Sequence, residues 1–428
     1  MNPRIDRRVL LWSLAAVVVA AVAVPVAANA ATVIAPPTIT SSAGSYVVGT
    51  PATFTLTPGA GDAVPSGYEY QVDLGRTRRV AASGGQASIT VTPTRRTGVL
   101  TARAVADDGT VSGNGIPFVF QASAAVPARD KDLNGDGVAD LLTVGGTAGL
   151  AAGLWEANGR GERGRVRTPA VNIGVNGNGI AGDLSAADFT GSQIFTGQFT
   201  GDGFEDLFVY YPTGPNAGGA VVLNGSGDGT ALQSQYNGNS TAMPAGLLSD
   251  MYGDNPIQLA NAYHAMHTTT AYPDLIGTSG DPGNGYYLAY YPNQNMLAGY
   301  YVALRITANT PDGTADWDKW TIASAPVASG LALYLWKPTT GELYLWDGVS
   351  VTDNGDSTAG ITYTRYRVST NWNASTPLST MEATDLDGDG VPDLWAVTPA
   401  GVATAYLVCD LSTTATATVR AQPPQRLP

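Results

Sequence analysis

The sequence is poor in the residues that form disulfides and histidine metal sites. Cys409 is the only cysteine among 428 residues, so no disulfide can form within the chain. The two histidines, His264 and His267, lie in a strand-like stretch that would turn them to opposite faces. We therefore expect no metal-binding or catalytic histidine pair, and rigidity has to come from a large sheet core or from a metal bound by oxygen atoms.

Positive charge is also scarce. Lysine occurs only at positions 131, 319 and 337, and the formal net charge is −13. The acidic excess lies after residue 127. Such a surface repels the phosphates of nucleic acids and of anionic lipids. Nucleic acid is therefore not expected as a partner, whereas a bound divalent cation would offset part of the charge.

Long apolar runs occur only near the N-terminus. Three arginines among the first eight residues precede the apolar stretch 9–26, and Ala28-Asn29-Ala30 has the small-x-small pattern of a cleavage site. We expect residues 1–30 to be a secretory signal, with an uncleaved membrane anchor as the alternative. No later stretch approaches roughly 18 uncharged apolar residues, so we expect no membrane span after cleavage. The mature protein is expected to be secreted, extracellular or associated with the cell surface.

Helical periodicity is nearly absent beyond this signal. Short alternating runs bounded by Gly, Pro, Asn and Asp predict an all-β protein, and its length predicts two or more domains. Residues 31–122 hold about seven such runs, which resembles the immunoglobulin or fibronectin type of β-sandwich. Residues 123–129 are then a linker, and residues 130–428 form the second domain.

The second domain repeats a unit of about sixty residues. Each unit has an apolar strand, a tight turn and a second strand, and the five units start at Asp140, Asp206, Asp274, Leu333 and Asp393. Several strands in each unit predict a β-propeller. Five blades are favoured, and six or seven stay open because segments 160–195 and 231–262 have room for degenerate copies.

Three units are preceded by loops rich in short oxygen-bearing side chains. They are DLNGDGVAD (132–140, loop 1), QFTGDGFED (198–206, loop 2) and DLDGDGVPD (385–393, loop 5). Oxygens at positions 1, 3, 5 and 9, with the carbonyl at position 7, suit a hard cation such as calcium. The predicted ligands are Asp132, Asn134, Asp136, Val138 and Asp140 in loop 1, Thr200, Asp202, Phe204 and Asp206 in loop 2, and Asp385, Asp387, Asp389, Val391 and Asp393 in loop 5. The alternative is a turn rich in Asp and Asn without metal, and loop 2 is the weakest copy because Gln198 stands at its first position.

The segments DLNGDGVADLL, FTGDGFEDLFV and DLDGDGVPDLW resemble the FG-GAP and VCBS repeats of integrin-like and bacterial secreted propellers. The resemblance covers about residues 128–428. It implies a calcium-binding propeller in which the metal holds a loop at a blade edge. Together with the sandwich pattern, it implies a secreted protein with an immunoglobulin-like module followed by that propeller.

Aromatic residues crowd the repeats, and most are expected to fill the core between blades. Trp336 and Trp346, each near a strand end, are predicted to be an exposed ligand-binding pair. No nucleophile elbow is present. The glutamates after residue 127 have no recognisable catalytic setting and are Glu156, Glu162, Glu205, Glu342 and Glu382.

These patterns predict a non-catalytic recognition or adhesion module for an extracellular glycan or protein. The first alternative is a carbohydrate-active or other hydrolytic enzyme on a propeller scaffold, which requires two acids that face each other. The second is a structural component of a surface assembly.

Overall fold

A computed structural model describes residues 33–61, 63–177, 185–230, 240–266 and 270–428. The expected signal 1–30 and His267 lie outside these ranges. The described chain contains 28 strands and two short 3-10 helices, Ala186–Phe189 and Trp317–Lys319. The prediction of an all-β protein is therefore confirmed. None of the helices in these ranges has the length and apolar character needed to cross a membrane.

The N-terminal module consists of eight strands. They are β1 (Thr38–Ser41), β2 (Tyr46–Val47), β3 (Ala52–Thr57), β4 (Gly67–Val72), β5 (Arg78–Ala81), β6 (Ala87–Val91), β7 (Thr97–Val105) and β8 (Phe118–Ser123). One sheet has the order β1-β3-β6 and the other β2-β8-β7-β4-β5. Only the β2–β8 pair is parallel among the pairings described for this module.

One apolar core joins the two sheets of this module. In β6, buried and exposed positions alternate, because one face of the strand meets the core and the other meets water. Phe54 and Leu56 of β3 share this core with Leu100 and Phe120 from the opposite sheet. Side chains from both sheets therefore bury one another in this core.

The remaining strands belong to the second region. They are β9 (Leu141–Gly145), β10 (Gly153–Ala157), β11 (Val171–Asn172), β12 (Gln193–Gly197), β13 (Asp206–Tyr210), β14 (Ala220–Leu223), β15 (Ser240–Met243), β16 (Gln258–Tyr263), β17 (Asp274–Asp281), β18 (Gly285–Tyr291), β19 (Leu304–Ile306), β20 (Thr321–Val327), β21 (Gly330–Lys337), β22 (Glu342–Asp353), β23 (Thr358–Ser369), β24 (Thr380–Thr384), β25 (Asp393–Val397), β26 (Val402–Cys409), β27 (Thr418–Ala421) and β28 (Gln425–Arg426).

These strands form five antiparallel meanders, which we number as sheets. Sheet 1 is β9–β11, sheet 2 is β12–β15, sheet 3 is β16–β19, sheet 4 is β20–β23, and sheet 5 is β24–β27 with β28 on β26. Sheets 3 and 4 are continuous, because β19 pairs with β23 in parallel. The end strands β16 and β20 of this eight-stranded sheet contact each other, so it curls almost into a closed barrel.

Five apolar cores connect these sheets in a closed cycle. Sheet 1 packs on sheet 2, sheet 2 on sheet 3, sheet 3 on sheet 4, sheet 4 on sheet 5, and sheet 5 on sheet 1. In β13, Leu207 and Val209 enter the core shared with sheet 1, whereas Phe208 and Tyr210 enter the core shared with sheet 3. Both faces of such a strand are buried, which explains why its sequence is apolar throughout instead of alternating.

The first strands of sheets 2 to 5 surround the centre of the cycle. β12, β16, β20 and β24 contact one another in this order, and β9 of sheet 1 contacts both β24 and β12. Glutamine side chains join neighbouring first strands. Gln193 of β12 accepts a hydrogen bond from the Leu259 amide at 3.0 Å and donates to the Ile257 carbonyl at 3.2 Å. Gln258 of β16 makes the same pair of bonds to β20.

Candidate functional site

A buried aspartate begins a strand, or lies just before it, in four of the sheets. Asp140, Asp206, Asp274 and Asp393 are 1 % exposed or less. One carboxylate oxygen of each accepts an amide hydrogen from the end of the next strand along the chain or from the turn after it. The distances are 2.9 Å for Gly159 to Asp140, 2.8 Å for Gly225 to Asp206, 2.6 Å for Asn293 to Asp274, and 2.8 Å for Val408 to Asp393.

In the three oxygen-rich loops, the other oxygen of this aspartate binds the start of the loop. The amide donors are Leu133 for Asp140 at 3.0 Å, Thr200 for Asp206 at 2.8 Å, and Leu386 for Asp393 at 3.0 Å. Burial raises the pKa of Asp140 to about 6 and those of Asp206 and Asp393 to about 7. The aspartate predicted as the ligand at position 9 therefore also joins the loop to the sheet, because its carboxylate accepts hydrogen bonds from backbone amides of both.

Loop 5 brings three carboxylates to one point. Oxygen atoms of Asp385, Asp387 and Asp393 lie within 4.8 Å of one another. Calcium binds oxygens at about 2.3–2.6 Å, so ligands on opposite sides of the ion are about 5 Å apart. Asp385 also accepts the amides of Gly388 and Gly390, whose φ values of +80° and +85° give the tight turn. This donor set fits calcium.

Asp389 and the Val391 carbonyl, the two other predicted ligands of loop 5, belong to the same turn. Asp389 accepts a hydrogen bond from the Val391 amide at 2.8 Å. Its carboxylate is not a member of the three-carboxylate group. The backbone bond restrains the turn from which the Val391 carbonyl projects.

Loop 1 makes the same backbone turn with a different side-chain arrangement. Asp132 accepts the amides of Gly135 and Gly137, each at 2.8 Å, and Asp136 accepts the Val138 amide at 3.0 Å. The Asn134 amide nitrogen donates to Asp140 at 3.0 and 3.1 Å. Among the described residues, only the loop 5 acids form a group close enough for a metal. The Asn134 side-chain oxygen accepts the Asp136 amide at 2.9 Å, so in this arrangement its nitrogen faces Asp140.

Glu156 adds a further acid behind loop 1. It lies in β10 and is 3 % exposed, and its Oε1 has no hydrogen-bond partner. Burial, and then the charges of Asp140 and Asp228, raise its pKa to about 8. Sequence reasoning missed this residue because it lies outside the loop pattern and reaches loop 1 only through sheet packing.

Loop 2 is bound by the N-terminal module. The Arg96 Nε donates to the Asp202 carboxylate, and the Arg96 amide donates to the Ser226 carbonyl at 2.9 Å. The Asp202 carbonyl accepts the Ala124 amide at 2.9 Å. A guanidinium therefore pairs with Asp202, the predicted ligand at position 5 of this loop, and neutralises the carboxylate that a metal would need.

The other predicted ligands of loop 2 also have protein partners. The Thr200 hydroxyl donates to Asp206 at 2.8 Å. Phe204 is buried, and its amide donates to Asp202 at 3.1 Å. The geometry favours an ion pair between modules over a calcium site at loop 2.

We expect Arg96→Ala to release the N-terminal module from loop 2. The ion pair is largely shielded from solvent, with side-chain exposures of 14 % and 19 %, so its loss should cost about 1–3 kcal/mol. Faster proteolysis within residues 123–129 and a larger radius of gyration in X-ray scattering would report the release. Arg103→Ala is the matched control, because Arg103 pairs with Glu69 inside the module. Equal proteolysis of both variants would contradict the docking role.

The prediction that Trp336 and Trp346 are an exposed pair is wrong. They are 3 % and 0 % exposed. The Trp336 ring meets Trp372 edge to face at 5.3 Å, and Trp346 stacks on Tyr363 at 3.9 Å. Because neighbouring sheets cover both faces of β21 and β22, a position near a strand end is still inside the core. The expectation that most rings fill the space between sheets is confirmed by buried side chains that include Tyr210, Tyr290 and Tyr334.

A second group of polar residues lies at the centre of the cycle. Lys131, Glu205 and Glu382 are 4 %, 4 % and 5 % exposed. The Lys131 amide donates to Glu205 at 3.2 Å, and the Tyr263 hydroxyl donates to Asp130 at 2.7 Å. Sequence reasoning missed this group because its members come from the segment just before loop 1, from loop 2, from β16 and from β24. The scarcity of lysine was the only available signal.

Comparison with known proteins adds little to this geometry. No family model matches the sequence, and no curated protein matches it. Among solved structures, a marsupial T cell receptor matches at 8 % identity over 90 % of this chain and 99 % of that chain, with a TM-score of 0.17. A score this low carries no argument about fold or function, so the evidence for both remains the geometry of the chain itself.

Proposed function

We propose that this chain is a secreted, calcium-binding β-propeller protein that recognises an extracellular glycan or protein without catalysis. The closed cycle of five sheets is the observation that carries the proposal. Five similar sheets that pack around a centre are the arrangement of propeller blades. The N-terminal module, with two sheets around one core, fits an immunoglobulin-like sandwich docked on loop 2.

The proposed calcium ions have a structural role. Asp385, Asp387 and Asp393 would hold one in loop 5, with the corresponding residues of loop 1 holding another. Calcium there supplies positive charge to crowded carboxylates and links the loop to the sheet. Loop 5 connects β24 to β25, and loop 1 leads into β9, so each ion would restrain the turn before a strand at the edge of a blade.

Chelation is expected to lower the melting temperature. An ion bound only by the folded protein stabilises it by about 2.7 kcal/mol when its concentration is 100 times its dissociation constant. Calorimetry of the dialysed protein, with chelator and then with excess calcium, measures this effect. Asp389→Ala should reproduce part of the loss in calcium. Identical melting in chelator and in excess calcium would contradict the structural role.

The recognition function is tested by ligand capture. The intact protein is applied to a glycan array and used in a pull-down from extracellular protein mixtures, in calcium and in chelator. We expect specific capture of a glycan or a protein that weakens when calcium is removed. Failure to capture any glycan or protein would contradict the proposal and favour the alternative of a structural component of a surface assembly.

A second candidate, a hydrolytic enzyme, is favoured by one observation. Glu205 and Glu382 both lie beside Lys131 near the centre of the cycle. Glycosidases act through two carboxyl groups about 5–9.5 Å apart. Release of reducing ends from a polysaccharide panel, abolished in both Glu205→Gln and Glu382→Gln, would establish this activity. Absence of turnover on the whole panel would reject it.

A further inference from the structure

The centre of the cycle buries one cation among three acids. Lys131 is 4 % exposed, and Asp130, Glu205 and Glu382 lie close enough for their charges to act on its amine. No ion pair within 4.0 Å joins Lys131 to a described acidic residue. The buried ammonium therefore keeps hydrogen-bond donors for another group.

The acids around Lys131 also have oxygen atoms that can accept hydrogen bonds. Neither oxygen of the Glu382 carboxylate has a hydrogen-bond partner, and Asp130 Oδ2 has none. The Leu142 backbone amide acts on Glu382 and opposes the rise in its pKa that burial causes. A buried carboxylate oxygen without a partner costs free energy. These oxygens are therefore suited to a ligand that donates hydrogen bonds.

Two cavities open on either side of this group. One, of about 190 Å³, is lined by Lys131 and Glu382, and the other, of about 260 Å³, by Asp130 and Glu205. Tyr263 lines both cavities. Each volume far exceeds the roughly 10–15 Å³ that one water needs, so a small organic molecule fits.

The backbone at this place is also unusual. Lys131 and Tyr263 have φ values of 62° and 51°. Residues other than glycine rarely adopt this left-handed conformation, and such residues cluster at ligand sites. The conformation of Lys131 accompanies the bond from its amide to Glu205.

The spacing of the acids argues against a metal ion here. Among the described residues, the carboxylates of Asp130, Glu205 and Glu382 do not form a group with oxygens within 4.8 Å of one another. An organic amine could donate to the acids, but its ammonium offers no acceptor to Lys131. Hydroxyl groups suit both the acids and Lys131, since each hydroxyl can donate to a carboxylate and accept from an ammonium.

We infer that the cavities around Lys131 bind a sugar residue or a similar polyol, with Glu382 and Asp130 accepting from its hydroxyls and Lys131 donating to them. This inference rests on the proposed recognition function and gives it a location and a ligand class. Binding at the centre of the ring would also let first strands from several sheets contribute to one site.

Titration of the full chain with glucose, galactose, mannose, xylose and N-acetylglucosamine, followed by saturation-transfer NMR and calorimetry, tests the inference. We expect at least one sugar to bind, and Lys131→Met and Glu382→Gln each to weaken it tenfold or more. Lys319→Met is the control, because Lys319 is exposed and pairs with Asp318. Melting curves show whether each variant folds. If Lys131→Met does not fold, the result for Glu382→Gln, which keeps the side-chain shape, decides the test.

Two outcomes would overturn the inference. One is that none of the five sugars binds the wild-type chain, and the other is that Glu382→Gln binds as tightly as wild type. In either case, capture of a glycan or protein by the wild-type chain would leave the recognition function standing. The failures of the two proposals are therefore distinguishable.

Discussion

Asp393→Ala is expected to lower the free energy of unfolding by about 4 kcal/mol in chelator, and by more in calcium because Asp393 is also a proposed ligand of the ion. The carboxylate is fully buried and accepts the amides of Leu386 and Val408. Alanine leaves both buried donors without partners, and each such loss costs about 1–3 kcal/mol. Urea unfolding at pH 7.5, followed by intrinsic tryptophan fluorescence, measures the change.

Asp387→Ala is the matched comparison in the same loop. Asp387 is exposed and belongs to the three-carboxylate group that fits calcium. We expect this variant to match wild type in chelator and to lose stability only when calcium is present. If Asp393→Ala loses stability only in calcium, the Asp393 carboxylate does not stabilise the protein through its backbone hydrogen bonds. Wild-type behaviour of Asp387→Ala under both conditions would contradict calcium at loop 5.

Glu382→Gln is expected to be more stable than wild type at pH 8 and equally stable near pH 4.5. Burial raises the pKa of Glu382 from its ordinary 4.5 to about 7, against the opposing charge of Lys131. Between these values the folded protein holds a proton that the unfolded chain releases, so stability falls as pH rises. Glutamine resembles the protonated acid in shape and charge, and it does not titrate.

The size of this effect follows from the shift. One pKa unit corresponds to about 1.4 kcal/mol, so the variant should gain on the order of 3 kcal/mol above pH 7. Urea unfolding at intervals from pH 4.5 to 8.5 measures the difference between variant and wild type. Glu342→Gln is the control, since Glu342 lies at a partly exposed hairpin turn. A constant difference between Glu382→Gln and wild type over this range would show that Glu382 is not a buried titrating group.

Much of the strand content could be predicted because its causes are local. The runs DLLTV, DLFVY and DLWAV each become a fully buried strand. A strand predicted from its own residues needs only an apolar run and the turn residues around it. The loop geometry was also predictable, because the bonds from Asp385 to Gly388 and Gly390 span three and five residues.

Contacts between distant parts of the chain could not be predicted in this way. Arg96 and Asp202 are 106 residues apart, and Lys131 and Glu205 are 74 apart. Nothing in either local sequence indicates the partner. The sequence pattern also treats loop 2 as a weak calcium loop, whereas the structure places an arginine on its carboxylate.

The sequence alone determined the all-β class and the oxygen-rich turns, because each depends on residues that are neighbours along the chain. The tertiary structure decided which carboxylates meet a cation, which face a cavity, and whether Trp336 is exposed. These properties depend on how sheets close into a cycle, and that closure brings together residues whose separation in sequence carries no signal.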